Sequence, residues 1–327
     1  MRLSHMDIAL DHWPLRQPFR FAGFTVAVLD TVTVTVARDG CVGHGEGVDP
    51  VVFDVTAEQA EAQLHSVREE CLTGDALAAC AALPPGPARN ALDCALWDLR
   101  AKHSGQTIWQ LAGLPQGPDT LAVDQSIGLA SPKEMAATAR ASDHAVLKLK
   151  MDQDLVVERL AAVRAARPDA EIIIDANQSW PRPFLEALLP QLAPLGIAMI
   201  EQPVRRGDDD SLAGLHSAIP LFADESCHTT ADLARLAPLY QGINIKLDKT
   251  GGLTEALALA RAARARGLGL MVGCMAGTSL SMAPAYVIAS LCRWADLDGP
   301  LLIARDRPVA MHYGRGQLHH FPAELWG

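Results

Sequence analysis

A regular series of short apolar runs, each ending in a charged or polar residue, occupies the chain from residue 120 onward. Counted from Lys150, the ends of successive runs lie 22 to 27 residues apart, which suits one strand, one loop and one helix. Alternating strands and helices form parallel sheets, and chemistry at the carboxyl ends of the strands is typical of a (β/α)8 barrel. With residues 120–127 as the first strand, the runs number eight, and the later ones end at Lys150, Asp175, Glu201, Asp224, Lys246, Gly273–Cys274 and Asp296–Asp298.

Three of these strand ends carry acids that could bind a metal ion. A single acid after a strand is usually a helix N-cap or part of a solvated turn, but several ionisable residues on one rim are harder to explain in that way. Asp175, Glu201 and Asp224 are hard oxygen donors on neighbouring strands, and water or substrate oxygens would complete the octahedron that Mg²⁺ prefers. The alternative is that these carboxylates only form salt bridges with nearby lysines.

Lysines lie on both sides of the three acids in strand order. Lys148 and Lys150 share one face of their strand because side chains alternate along a strand. In a closed barrel, Lys150 and Lys246 would face each other across the cavity, where one can remove a proton from a carbon and the other return it on the opposite face. A divalent cation on the adjacent carboxylate, helped by Lys148, would stabilise the enediolate that forms.

The residues before the barrel have a different pattern. Residues 26–36 alternate as a strand, Asp39–Gly40 is a hairpin-turn signal, and residues 57–71 and 88–103 have helical periodicity. The glycine-rich stretch 43–47 indicates strand and turn glycines rather than a phosphate loop, because no capped helix follows it.

These patterns predict an α/β protein of three parts. Residues 1–118 form an α+β capping domain, residues 119–300 form a (β/α)8-type, TIM-like barrel that carries the catalytic residues, and residues 301–327 return to the capping domain and complete it.

Composition limits the partners and the compartment. The chain has 28 Lys and Arg against 38 Asp and Glu, a formal net charge of −10, and no basic run, so no nucleic-acid partner is expected. We expect no signal peptide and no membrane span, since the N-terminal residues have no apolar core and the most apolar segment, residues 278–292, is short and interrupted by polar residues. Seven scattered cysteines fit a reducing cytoplasm. We expect a cytoplasmic homo-oligomer that acts on a small molecule.

Motifs in both predicted domains resemble the muconate-lactonising subgroup of the enolase superfamily, and within it the dipeptide epimerases. The motifs are Lys148-Leu149-Lys150, Asp175-Ala176-Asn177, Glu201-Gln202-Pro203, Asp224-Glu225-Ser226, residues 244–249 and residues 88–99. The resemblance implies one Mg²⁺ per subunit, held by Asp175, Glu201 and Asp224. It also implies that Lys150 and Lys246 are the acid/base catalysts and that Lys148 assists the substrate carboxylate.

Asp296 and Asp298 narrow the choice of reaction, because lactonisation, dehydration and racemisation share the other motifs. On one strand face the two carboxylates could pair with a cation, although a turn before Gly299–Pro300 is the alternative. In dipeptide epimerases such a pair binds the free α-ammonium group. The resemblance thus implies Mg²⁺-dependent epimerisation, through an enediolate, at the α-carbon of the C-terminal residue of a dipeptide. The alternatives are an N-acylamino acid racemase, an enzyme like o-succinylbenzoate synthase, and a non-catalytic binding barrel.

Two loops of the capping domain depart from the pattern of Ala-Glu epimerases, which typically offer an arginine to the glutamate side chain. Residues 21–28 contain no arginine, Arg20 being the nearest cation before them, and residues 48–53 are mostly apolar. A buried carboxylate without a partner is strongly disfavoured. We assign Phe24, Val52 and, on the rim, Cys274 to substrate contacts, and expect either Ala-Glu or a dipeptide with a more apolar second residue.

Overall fold

The computed structural model describes residues 1–21, 24–49 and 55–327, with the side chains of residues 19–21 and 24 left out. Its N-terminal part is an antiparallel sheet of β1 (His5–Phe21), β2 (Phe24–Arg38) and β3 (Cys41–Val48), paired in that order. Arg38 pairs with Cys41, so the predicted hairpin turn at Asp39–Gly40 is confirmed. The buried face of the sheet packs against α1 (Ala57–Thr73), α2 (Ala76–Ala82) and α3 (Pro87–Ser104).

The glycine-rich stretch 43–47 lies inside β3, on the face that contacts α3. A Cβ atom at Gly45 would lie 2.1 Å from the carbonyl oxygen of Ala91, and Cβ atoms at Gly43 and Gly47 would meet backbone oxygens of α3 at 2.3 and 2.1 Å. Glycine therefore allows the strand and the helix backbone to approach closely. This packing role agrees with the prediction of strand glycines.

A parallel sheet of eight strands forms the barrel. Each strand pairs with the next along the chain, and the backbone N–H of Asp124 donates to the carbonyl of Ala295 at 3.0 Å, which links the first strand to the last. The predicted barrel with a small capping unit is confirmed. The strands are β5 (Gln125–Ile127), β6 (Val146–Lys150), β7 (Glu171–Asp175), β8 (Ile197–Glu201), β9 (Leu221–Ala223), β10 (Gly242–Ile245), β11 (Gly269–Gly273) and β12 (Trp294–Asp296).

Helices of unequal length connect the strands. Ser131 begins α5 with a capping box, as its position before Pro132 predicts. Between β8 and β9 the chain makes a 3-10 turn at Asp209–Leu212 instead of an α-helix, so the strand–helix repeat is incomplete there. The remaining helices are α4 (Ile108–Ala112), α5 (Pro132–Ala141), α6 (Val156–Ala166), α7 (Arg182–Leu192), α8 (Leu233–Leu236), α9 (Leu247–Thr250), α10 (Leu253–Ala265), α11 (Ser279–Ala289) and α12 (Gly299–Leu302).

Two predicted strands are wrong in extent. Residues 120–127 are not one barrel strand, because β4 (Thr120–Ala122) pairs with β14 (Gln317–His319), which also pairs with β13 (Tyr313–Gly314). The barrel therefore starts at β5. The eighth strand ends at Asp296, and Asp298 instead precedes α12 as its N-terminal flanking residue.

The C-terminal segment contacts both larger parts of the molecule. The indole N–H of Trp326, which is fully buried, donates to the carbonyl of Cys94 in α3 at 3.1 Å, and β14 pairs with β4 beside the barrel. Trp97 of α3 is a buried core residue and donates to the hydroxyl of Thr254 in α10 at 2.8 Å. One buried cluster includes residues of α3, the barrel and the C-terminal segment, and a second lies between the N-terminal sheet and its helices. The domain limits at residues 118 and 300 stay a prediction. Among the described residues, no helix has the length and hydropathy required to cross a membrane.

The close contact of β3 with α3 can be tested with a pair of glycine variants. Gly45→Ala should lower the free energy of unfolding by about 3 kcal/mol. The new methyl group would overlap the backbone of α3, which cannot move aside as a flexible side chain could. Gly40→Ala should cost only about 1 kcal/mol, because Gly40 has φ +80° but open space around it. Equal losses in urea unfolding would contradict the packing role.

Candidate active site

Three buried acids lie at the carboxyl ends of neighbouring barrel strands. Asp175 and Glu201 are the last residues of β7 and β8 and pair in register, and Asp224 directly follows β9. Each of the three is at most 1% exposed. The residues predicted to hold a metal ion are therefore placed side by side on the inner rim.

Lys150 and Lys246 approach these acids from opposite sides of the barrel. Lys150 Nζ lies 2.6 Å from Asp175 Oδ2, and Lys246 Nζ lies 2.7 Å from Asp224 Oδ2. Their strand, β6, and the strand that Lys246 follows, β10, are four positions apart in the ring of eight. Each of the two lysine side chains is 12% exposed, so both ammonium groups reach the open end of the barrel.

Lys148 has no exposed surface and contacts acids from both sides of the barrel interior. Its Nζ atom lies 2.6 Å from Asp296 Oδ2, 2.8 Å from Glu201 Oε2 and 3.2 Å from Asp175 Oδ2. Burial acts to lower the pKa of Lys148, but the acids, Asp296 first, outweigh it and raise the pKa well above its ordinary value. Its contact with Asp296 Oδ2 is a hydrogen bond, and its contacts with Glu201 and Asp175 are ion pairs. A contact of Lys148 with a substrate carboxylate stays a prediction.

The pKa values of the acids that end β7 and β8 are shifted in opposite directions. Burial, followed by repulsion from Asp175, raises the pKa of Glu201 to about 8. Burial also acts to raise the pKa of Asp175, but Lys150 and Lys148 outweigh it and lower that pKa to about 2. Glu201 therefore binds its proton far more tightly than Asp175 does.

These acids fit a hard divalent cation. Asn244 Nδ2 donates to Glu201 Oε1 at 2.6 Å, whereas Glu201 Oε2 receives no hydrogen bond from any described residue. Lys148 Nζ is near that oxygen, at 2.8 Å, but not in hydrogen-bond geometry. A cation beside Glu201, Asp175 and Asp224 would use the free oxygen and favour the ionised form of Glu201.

Lys249 is a member of the site that sequence reasoning did not assign. It is 2% exposed, and its Nζ atom lies 2.6 Å from Asp224 Oδ1 and 2.9 Å from the carbonyl oxygen of Asn244. Lys249 and Lys246 hold the two carboxylate oxygens of Asp224 from different directions. The motif Lys246-Leu247-Asp248-Lys249 contains the signal, since a helical turn brings residues three apart together.

A second group of acids lies where the first and last barrel strands meet. Asp296 and Asp298 come together although only Asp296 belongs to a strand, and Asp298 Oδ2 accepts a hydrogen bond from the backbone N–H of Ser126 at 3.1 Å. Sequence reasoning missed a third member, Asp124. One oxygen from each of these three aspartates lies within 4.8 Å of the other two. An acid within the apolar run of residues 120–127 was the available signal.

The residues predicted to contact the substrate side chain are placed only in part. Cys274 follows β11 on the rim and is partly buried. The side chains of Phe24 and Arg20, and the whole of Val52, lie outside the described residues.

Comparisons with known proteins agree with this fold and rim. Residues 132–300 match the family model "Enolase C-terminal domain-like", and residues 4–113 match that of the mandelate racemase / muconate lactonizing enzyme N-terminal domain. The chain is 42% identical to L-Ala-D/L-Glu epimerase of Escherichia coli strain K12, over 94% of this chain and 97% of that protein. It is 44% identical to N-acetyl-D-glutamate racemase of a Pseudoalteromonas species, over 75% of this chain and 78% of that protein.

Solved structures give the same result. An enolase family member from Agrobacterium tumefaciens with homology to dipeptide epimerases, bound to sodium and L-Ala-L-Glu, is 40% identical with a TM-score of 0.92, over 98% of this chain and 99% of that one. A dipeptide epimerase from Methylococcus capsulatus, complexed with Mg and L-Arg-D-Lys, is 33% identical with a TM-score of 0.89, over 98% and 97%. Fold and rim thus define an isomerase built on a capped barrel. The chain belongs to the mandelate racemase / muconate lactonizing enzyme family of the enolase superfamily.

The contacts of Lys148 predict a large loss of stability when its charge is removed. Lys148→Met should lower the free energy of unfolding by about 3–5 kcal/mol, because it leaves buried carboxylates without their shared cation. Lys133→Met is the control and should cost less than about 0.5 kcal/mol, since Lys133 is an exposed residue of α5. Chemical unfolding followed by circular dichroism measures both. A Lys148→Met protein as stable as the wild type would contradict this account.

Proposed function

We propose that the protein is a Mg²⁺-dependent dipeptide epimerase that inverts the α-carbon of the C-terminal residue. One observation carries the proposal, namely the order of charged groups around the barrel. The three acids on β7 to β9 lie opposite the aspartates at β12, and Lys150 and Lys246 lie opposite each other between them. A dipeptide has the matching order, with a carboxylate at one end, an ammonium group at the other and the reacting carbon between.

The two lysines supply the proton transfer. Burial acts to lower the pKa of Lys246, but Asp224 outweighs it and the pKa is raised, which favours an ammonium group that can donate a proton. In one direction Lys150, as the neutral amine, removes the α-proton and Lys246 returns one to the opposite face, and in the other direction the roles reverse. Because the lysines lie on opposite sides of the barrel, removal and return on different faces invert the carbon.

One Mg²⁺ per subunit, held by Asp175, Glu201 and Asp224, would supply the positive charge that an enediolate requires. The donor set supports this assignment, as do the Mg complexes among the relatives. Asp296 and Asp298 would bind the free α-ammonium group. The expected homo-oligomer and the cytoplasmic location remain part of the proposal.

The identity of the second residue rests on the sequence of the capping loops. Residues 21–28 hold no arginine and residues 48–53 are mostly apolar, so we propose that Phe24, Val52 and Cys274 surround the substrate side chain. This favours a dipeptide with an apolar or small second residue, with L-Ala-D/L-Glu, the substrate named for the Escherichia coli relative, as the alternative.

A racemase of N-acylamino acids is the second candidate, because the relative from Pseudoalteromonas is named N-acetyl-D-glutamate racemase. The two functions differ at the aspartates at β12. A free ammonium group gains from carboxylates there, whereas an N-acyl group has no charge to offset them. Turnover of N-acetylamino acids in preference to dipeptides would favour the second candidate.

The lysine roles predict a stereochemical result in D₂O. Lys150→Ala and Lys246→Ala should each lower epimerisation of a dipeptide by about 10²–10⁴-fold, because one of the two faces loses its proton carrier. The lysine that remains should still exchange the α-proton of one epimer, and the two variants should differ in which epimer exchanges. Proton NMR and mass spectrometry of a dipeptide library measure both effects.

The matched control for the lysine variants is Lys133→Ala, which removes an exposed lysine from α5 and should keep wild-type activity. Full epimerisation by either active-site variant would contradict the two-base assignment. Wild-type enzyme that exchanges no α-proton in any dipeptide would contradict the proposed function as a whole.

Metal dependence can be tested separately from the lysines. Treatment with EDTA should abolish α-proton exchange, and added Mg²⁺ should restore it, because the carboxylates on β7 to β9 then bind the cation again. Glu201→Gln should weaken Mg²⁺ binding in isothermal titration calorimetry, since it removes an anionic donor. Exchange that persists in a metal-free preparation would contradict the cation site.

A further inference from the structure

Asp124 is a buried acid for which the fold provides no donor. Its side chain lies between β4 and β5 and is 1% exposed. Its backbone N–H links the barrel to Ala295, but neither carboxylate oxygen receives a hydrogen bond from a donor in the described residues. Buried carboxylates are normally hydrogen-bonded or paired, so an acid without either calls for a ligand.

The surroundings of Asp124 increase the free-energy cost of its negative charge in the protein without a ligand. Asp296 and Asp298, each 6% exposed, place their carboxylates beside it, and burial together with repulsion from Asp296 raises the pKa of Asp124 well above its ordinary value. Lys148 contacts this group of aspartates through Asp296. The same ammonium group also contacts Glu201 and Asp175. The three aspartates thus have room for one further positive charge.

We propose that Asp124 is the third carboxylate of a site that binds the α-ammonium group of the substrate, together with Asp296 and Asp298. The inference rests on the proposed function and adds to it a residue that selects substrates with a free amino group. It makes the enzyme specific for dipeptides over N-acylated amino acids.

The spacing of the oxygens suits a primary ammonium group. Three tetrahedral N–H donors at the usual 2.8 Å place their acceptors about 4.6 Å apart. The three aspartate oxygens lie within 4.8 Å of one another. This upper limit includes the spacing that an ammonium group requires if one oxygen from each residue accepts one of its three protons.

The location of the three aspartates favours one end of the substrate as their ligand. The position across the barrel from Asp175, Glu201 and Asp224 places the group at the far end of a substrate whose carboxylate lies at those acids.

A pair of substrates that differ only in the amino group tests the inference. L-alanyl-L-glutamate and N-propionyl-L-glutamate have the same shape, but the second lacks the ammonium group. If the exchange screen shows a preference for another second residue, the test uses the preferred dipeptide and the N-propionyl derivative of its second residue instead. In the wild type, kcat/KM should be far higher for the dipeptide.

Asp124→Asn should lower kcat/KM for the dipeptide about 10- to 100-fold, the usual loss for one charged hydrogen bond, and leave the propionyl substrate unchanged or improved. The loss should appear mainly in KM, because the ammonium group does not react. Asp119→Asn, which removes an exposed charge five residues earlier, is the control and should change neither substrate. An equal effect of Asp124→Asn on both substrates, or none, would overturn the proposal.

Thermal unfolding provides a second measurement. Asp124→Asn and Asp124→Ala should melt at or above the wild-type temperature, because both remove a carboxylate that has no donor and repels its neighbours. A clearly lower melting temperature for both variants would show a structural role and overturn the inference. If the wild type exchanges no α-proton in any substrate, the proposed function fails. If it exchanges but does not favour the free amino group, only this inference fails.

Discussion

The ion pairs of Lys148 are the interaction on which the rest of the barrel interior depends. Its fully buried ammonium group contacts Asp296 on one side and Glu201 and Asp175 on the other. Isolated carboxylates at these depths would be very costly, and one shared cation lowers the cost for all three. The barrel can therefore hold two separate groups of acids within one cavity.

The strand order converts these charges into a defined arrangement. In a ring of eight parallel strands, side chains four strands apart face each other, and two such diagonals carry the charged residues. One diagonal joins the acids on β7 to β9 with the aspartates at β12, and the other joins Lys150 with Lys246. A substrate charged at both ends is thereby placed with its middle carbon between two lysines, and inversion at that carbon follows from the geometry.

The sequence allowed the barrel and most of the rim to be predicted, because runs spaced by 22 to 27 residues leave few other folds and because charged residues stand out at their ends. The division of residues 120–127 could not be seen, since β4 pairs with β14, almost 200 residues later. Asp124 was not predicted because it precedes a barrel strand, whereas the site residues were sought at the ends of strands. Lys249 escaped because its contact with Asp224 depends on the turn of α9.

The aspartates where the barrel closes differ in what they give the fold. Asp298 accepts a hydrogen bond from Ser126 and so stabilises the junction between the first and last strands, whereas Asp296 pairs with Lys148 of β6. Asp124 contributes its backbone N–H to that junction, but its carboxylate receives nothing. Any small side chain would leave the same backbone bond intact. The acid at this position is therefore not explained by closure of the barrel, and we assign it to the charge of a ligand.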